Sequence, residues 1–200
     1  MKERVVCDVS TVTSHASGAA SPAWWGTLAF MVIEGTGFAL AIVMYLYLMS
    51  IAPAWPIDAP RPDLWAGTAI TVLLLASLVP NFLVSRWAKR RDLPKARAGL
   101  LVMSCLGIAP LLIRIHEFPA LHVGWDRNAY GSVVWLLLGL HTSHVLTDLA
   151  ETLVLTCLMF TRHSDNARRH DDVADNAMYW NFVVVAWLPI YGCIYWVPRL

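Results

Sequence analysis

Five apolar runs, at residues 24–50, 65–85, 98–115, 131–161 and 177–197, constrain this chain more than anything else in it. About twenty apolar residues, rising about 1.5 Å each as a helix, cross the hydrocarbon core of a bilayer. No water is present there to satisfy backbone N–H and C=O groups, so each run is expected to be a helix that closes its own hydrogen bonds. The expected fold class is therefore all-α, a polytopic membrane bundle of five transmembrane helices. Composition agrees, because 58% of the chain is hydrophobic and only 14% charged, well outside the usual range for a soluble domain. The fourth run is longer than one crossing needs, so that helix is expected to tilt or to emerge from the bilayer. Pro53, Pro56, Pro60 and Pro62 stop any helix from continuing through the first connection.

The basic residues predict an orientation. Lys2 and Arg4, the connection from Arg86 to Arg97, and Arg162, Arg168 and Arg169 place eleven Lys and Arg on one side. Arg61, Arg114, Arg127 and Arg199 place four on the other. The positive-inside rule then puts the N-terminus in the cytoplasm and the C-terminus in the periplasm. Several tryptophans (Trp24, Trp25, Trp65, Trp87, Trp125 and Trp196) fall near span ends, where an interfacial belt is expected. Residues 1–23 are mixed polar and small and lack the charged start and apolar core of a secretory signal. They are read as a tail, with residues 24–200 as one membrane domain, since no repeat or linker divides them.

Some functions are disfavoured at once. The net charge is +1 and no basic arm is interleaved with aromatics, which argues against a nucleic-acid partner. Cys7, Cys105, Cys157 and Cys193 form no CxxC pair. Three lie in apolar runs, and they read as small helix residues, not as a disulfide frame or a metal site.

The fourth run carries the strongest anomaly, "GLHTSHVLTDLAETLVL" over residues 139–155. At about 100° per residue, His144, Asp148 and Glu151 lie about −60°, −20° and −80° from His141. The four ionisable groups share one narrow stripe, and a carboxylate facing lipid costs several kcal/mol or loses its charge. The stripe is therefore expected to face protein or water. Three readings are open. A metal site would need matching ligands from other helices, and the other spans offer only Glu34 and the pair His116 and Glu117. A proton relay or substrate path would use intramembrane acids. A structural network would hydrogen-bond across helices or subunits.

Glu34 lies about ten residues into the first span, roughly 15 Å deep at the rise of a helix. Gly35 and Gly37 beside it leave room for a neighbouring helix or a lipid to approach. Pro80 and Asn81 stand inside the second span, where a proline frees a backbone carbonyl and permits a kink. Arg114, His116 and Glu117 close the third span and are expected to be interfacial and solvated.

Four blocks together resemble subunit III of the haem-copper oxidases. "IEGTGFALAIVMYLYL" resembles that family's helix with a buried glutamate, which places Glu34 on it. "IRIHEFPAL" and "NAYGSVVWLLLGLHTSHV" resemble its acidic-aromatic segment, its Tyr-Gly-Ser helix entry and its Gly-x-His-x-x-His-Val motif, which places Gly139, His141, His144 and Val145. "MYWNFVVVAWLPIYGCIYW" resembles its closing helix. The resemblance runs from about residue 24 to 197. It departs at Asn181, where the family usually has His, and at Val184, where it often has Asp. Asp148 stands at a usual Gly and Glu151 is also uncommon, so a polar partnership is expected to have moved from the last helix to the fourth.

Some bacterial members of that family have five spans in place of seven, and losing the first two preserves the orientation of the rest. The resemblance implies a non-redox accessory subunit of a bacterial terminal oxidase in the inner membrane. It would have no catalytic centre, metal or bound cofactor of its own. Haem and copper would reside in partner subunits, and subunit I, subunit II and membrane phospholipid would be its partners. In that setting Glu34, His141, His144, Asp148 and Glu151 are expected to form a buried polar network supporting subunit I, lipid binding and proton uptake. The alternatives are an accessory subunit of a nitric-oxide reductase or quinol oxidase, or a small polytopic transporter acting alone.

Overall fold

The computed structural model describes residues 21–161 and 166–200. Among them, five long helices account for the chain: α1 (Pro22–Ile51), α2 (Leu64–Lys89), α3 (Leu93–Glu117), α4 (Ala129–Met159) and α5 (Ala167–Tyr191). All five spans are long and apolar enough to cross a membrane, α5 together with the short turns that follow it. This is the all-α five-helix bundle expected from the apolar runs. Lys2, Arg4, Cys7 and Arg162 lie outside the described residues.

The helix ends follow local chemistry. Ser21 caps α1 by accepting from the Ala23 amide, with Pro22 at the first helical position, where its missing N–H costs nothing. Asp92 caps α3, and the Lys95 ammonium 2.6 Å away holds its carboxyl below the usual carboxylate range. Asn128 caps α4 by accepting from the Gly131 amide at 2.7 Å. A Cβ on Gly131 would come within 2.2 Å of the Gly124 carbonyl, so the Tyr-Gly-Ser entry needs its glycine. The turns after α5 begin with a π-helical stretch, Gly192–Trp196, following Pro189.

Helix α5 is the hub, packing on α2, α4 and α1, while α3 closes the ring between α2 and α4. Helix α1 leans on α4 and α5. The proline-rich connection between α1 and α2 is tethered by Trp55, which donates to the Tyr45 hydroxyl at 2.8 Å and sits edge-on to Tyr45 and Tyr130.

One boundary differs from expectation. Helix α5 begins about ten residues before the apolar run, because the polar stretch "ARRHDDVADN" continues the helix from an Asn166 cap that accepts from the Arg168 amide. Val173, Asn176 and Ala177 from this stretch and its first apolar turn are buried against the bundle. Tertiary packing, more than apolar run length, sets this end.

Candidate functional site

Three clusters gather the ionisable groups singled out on α1, α3 and α4. At mid-depth, Glu34 of α1 meets α4 and α5. The Tyr179 hydroxyl donates to one carboxyl oxygen at 2.6 Å, and His144 Nε2 lies 3.2 Å from the other. His144 Nδ1 faces the Leu140 carbonyl at 2.5 Å, the usual one-turn-back acceptor on a helix. The carbonyl can only accept, so Nδ1 donates to it and Nε2 is left facing the carboxyl. Ionisable groups at bilayer depth survive when they are bonded to one another in this way.

The second cluster sits at the ends of α3 and α5. Arg114 is 3% exposed and pairs with Glu117, one turn later and fully buried. Its other terminal nitrogen donates to His141 Nδ1 at 3.0 Å, and its guanidinium stacks 4.6 Å from the Trp187 ring centroid. A guanidinium can only donate, so His141 Nδ1 accepts. The proton on Nε2 is then free to reach the Val183 carbonyl at 3.1 Å, and this fixes the tautomer. Tyr195 donates to the second oxygen of Glu117. Its ring lies where a Cβ on Gly67 would be, only 2.4 Å away, so that glycine admits the aromatic ring.

The third cluster lies toward the opposite end of α4 and α5. Asp148, 1% exposed, accepts from the Asn176 side-chain amide at a long 3.4 Å, and Thr152 donates to Asn176 Oδ1 at 3.1 Å. Glu151 is exposed beside Asp175 and Thr27, with no hydrogen bond to the other three stripe residues.

Three expectations are corrected here. Arg114 and Glu117 are not solvated, because His141 of α4, Trp187 of α5 and Tyr195 just beyond α5 close over their α3 turn; only His116 of that trio is exposed. The stripe residues do not partner one another either. His141 bonds to α3 and α5, His144 to α1, and Asp148 to α5, since neighbours on one helix stripe point their tips outward toward other helices. Nor has the last helix given up its polar role. Asn181 accepts from Asn81 at 2.9 Å, and Asn81 also donates to the Ala177 carbonyl at 2.7 Å.

Sequence reasoning missed a seam between α2 and α5. Thr68, Thr71 and Ser77 bond to Tyr191, Trp187 and Trp180 at 2.7–2.8 Å, in antiparallel order, with Asn81 continuing the row. The signal was present as small polar residues three to six apart in an otherwise apolar helix, opposite aromatic residues that carry one donor each.

Among the described residues, no three His, Cys, Asp or Glu side chains converge as metal ligands would. Cys105 and Cys157 are exposed and Cys193 is buried, all as free thiols.

Fold and clusters together define a polytopic helical bundle in which Glu34, Arg114, His141, His144 and Asp148 bond one helix to another. The cytochrome c oxidase subunit III family matches residues 5–198, and the chain belongs to it. It is 25% identical to cytochrome c oxidase subunit 3 of Thermostichus vulcanus over 87% of each chain. It is 26% identical to the Synechocystis protein of that name, over 86% of this chain and 74% of the other. It is 27% identical to the Lumbricus terrestris one, over 96% and 76%.

Proposed function

We propose that this chain is a non-redox accessory subunit of a bacterial haem-copper terminal oxidase, the assembly that oxidises cytochrome c, reduces oxygen and translocates protons. It lies in the inner membrane with its N-terminus in the cytoplasm, packs against subunit I in a complex that includes subunit II, and holds phospholipid. Haem and copper belong to the partner subunits. The observation that carries this reading is the fate of the buried charges: Glu34, His141, His144 and Arg114 are each bonded to groups on other helices, as side chains that join a bundle are. Family membership supplies the host enzyme. Haem ligation needs paired axial side chains facing a ligand-sized space, and the histidines of α4 are already engaged.

Within the complex these clusters hold a stiff scaffold beside subunit I, and their support of proton uptake is indirect, through that scaffold. Purification through this chain tests the assignment. A haem-bearing large subunit should copurify, and its reduced-minus-oxidised spectrum names the host enzyme. A chain that runs alone, stable and free of haem, overturns the reading.

A further inference from the structure

Toward the end of α4, an open groove of about 450 Å³ runs between that helix and the first turns of α1 and α5. Much of its lining is small or apolar. Ala23 and Thr27 come from α1, and Ala150, Val154 and Leu158 from α4. Small residues let a neighbouring backbone come close. The apolar surface does not stop at the groove. Val154, about one turn beyond Glu151, is 58% exposed, and Phe160, just past the helix end, is 53% exposed. Set in this surface is Glu151, itself exposed.

The charges along the groove do not balance. Asp172 and Asp175 of α5 line it with Glu151, and Arg169 is the one cation among the described residues that line it. That guanidinium is already bonded to Asp172 at 3.0 Å. Asp175 also lines a separate cavity with Lys89. Among the described residues, no salt bridge includes Glu151. Glu151 is also not bonded to another helix of the bundle in the way His141, His144 and Asp148 of the same stripe are.

These two features select what covers the groove. Acyl chains alone suit Val154 and Phe160 but leave a carboxylate facing hydrocarbon, which is costly. A helix from another subunit that carried no base would strand Glu151 in the interface, and a buried acid without its partner is strongly unfavourable. A helix with a lysine or arginine at this level meets both the apolar row and the acid. The positive-inside rule places such residues at the cytoplasmic ends of neighbouring helices. This is also the end of the bundle that the chain's own basic residues assign to the cytoplasm. We propose that the groove is the docking site of a transmembrane helix from a partner subunit, whose lysine or arginine pairs with Glu151. The apolar side of that helix lies along Val154 and Leu158, and its basic side chain ends at Glu151. This rests on the reading above that the chain works as a subunit of a larger membrane complex.

The test uses the intact complex purified through this chain, with the photo-crosslinking residue benzoylphenylalanine in place of Val154. After illumination, mass spectrometry identifies what has been attached. It should be an apolar span of another subunit, with a lysine or arginine within about two helical turns of the attachment point. Attachment to lipid alone, or to a span without a base in that window, overturns the proposal. The charge is tested separately. Glu151→Gln should speed the loss of this chain from the complex on detergent dilution about tenfold, the order expected for one charge-assisted hydrogen bond. Glu151→Asp should recover most of that loss. Replacing the identified base by glutamine in the Glu151→Gln complex should then add little, since a pair can be broken only once. Equal loss rates for the parent and Glu151→Gln, or fully additive losses in the double variant, overturn the pairing. The crosslinking variant keeps Glu151, so it decides the matter if Glu151→Gln does not assemble. The two readings fail separately. A chain that purifies without any other subunit sinks the subunit assignment, whereas an assembled complex that crosslinks only to lipid at Val154 sinks the groove alone.

Discussion

The two ends of the bundle handle buried charge in opposite ways. At the Arg114 end, an arginine, a glutamate, a histidine and a tyrosine from three helices are closed on one another, and nearly every donor and acceptor is used. At the His170 end, two buried nitrogens, His170 Nδ1 and Arg169 Nε, have no hydrogen-bond partner, Lys89 and Arg91 line an open cavity, and Glu151 remains exposed. A closed network fixes helix positions, since breaking any member strands the others. An open, unbalanced one has interaction left over for a molecule from outside. The same chain thus divides its ionisable residues between holding itself together and receiving something else.

That contrast can be broken most sharply at Arg114. Arg114→Met leaves Glu117 and His141 buried without their partner and should cost about 3–5 kcal/mol, read from detergent-induced unfolding of the purified complex. Replacing Arg114 and Glu117 together, by Met and Leu, should recover most of that loss, because a missing pair costs far less than half of one. If the single variant is as stable as the parent, the closed end is not a lock. Next in size is Gly67→Ala, which places a methyl into the Tyr195 ring and should cost about 1–3 kcal/mol by overpacking, measured in the same unfolding experiment. A smaller effect is expected at mid-depth. Tyr179→Phe removes one donor to Glu34 and should cost about 1.5 kcal/mol, while Glu34→Gln in the same background should add little. The smallest belongs to the open end. In lipid-free detergent, His170→Leu should change stability by less than about 1 kcal/mol, since it removes an orphan and not a bond. A large loss there would show that the two ends are built alike.

The apolar runs made five helices legible, because the bilayer leaves a backbone few alternatives. They left the start of α5 illegible, since its first ten residues are polar and are held in place by burial against neighbours that are distant in sequence. The stripe on α4 could be seen to need shielding, and Glu34 to need a partner. Which groups answered was not readable: His144 for Glu34, Asn176 for Asp148, and Arg114 for His141. Arg114 was misjudged for the same reason. A charged residue at a span end looks solvated until the neighbouring helices are known to close over it.

The sequence by itself determined the number of spans, the class of fold, the family resemblance and the placing of four ionisable groups on one helix face, three of which the bundle buries. These follow from hydration energies and helical periodicity, which act locally along the chain. Only the tertiary structure decided which charges became locks, which stayed exposed and where a cavity was left. Partnership in a bundle depends on which helix lies beside which, and local periodicity carries no record of that.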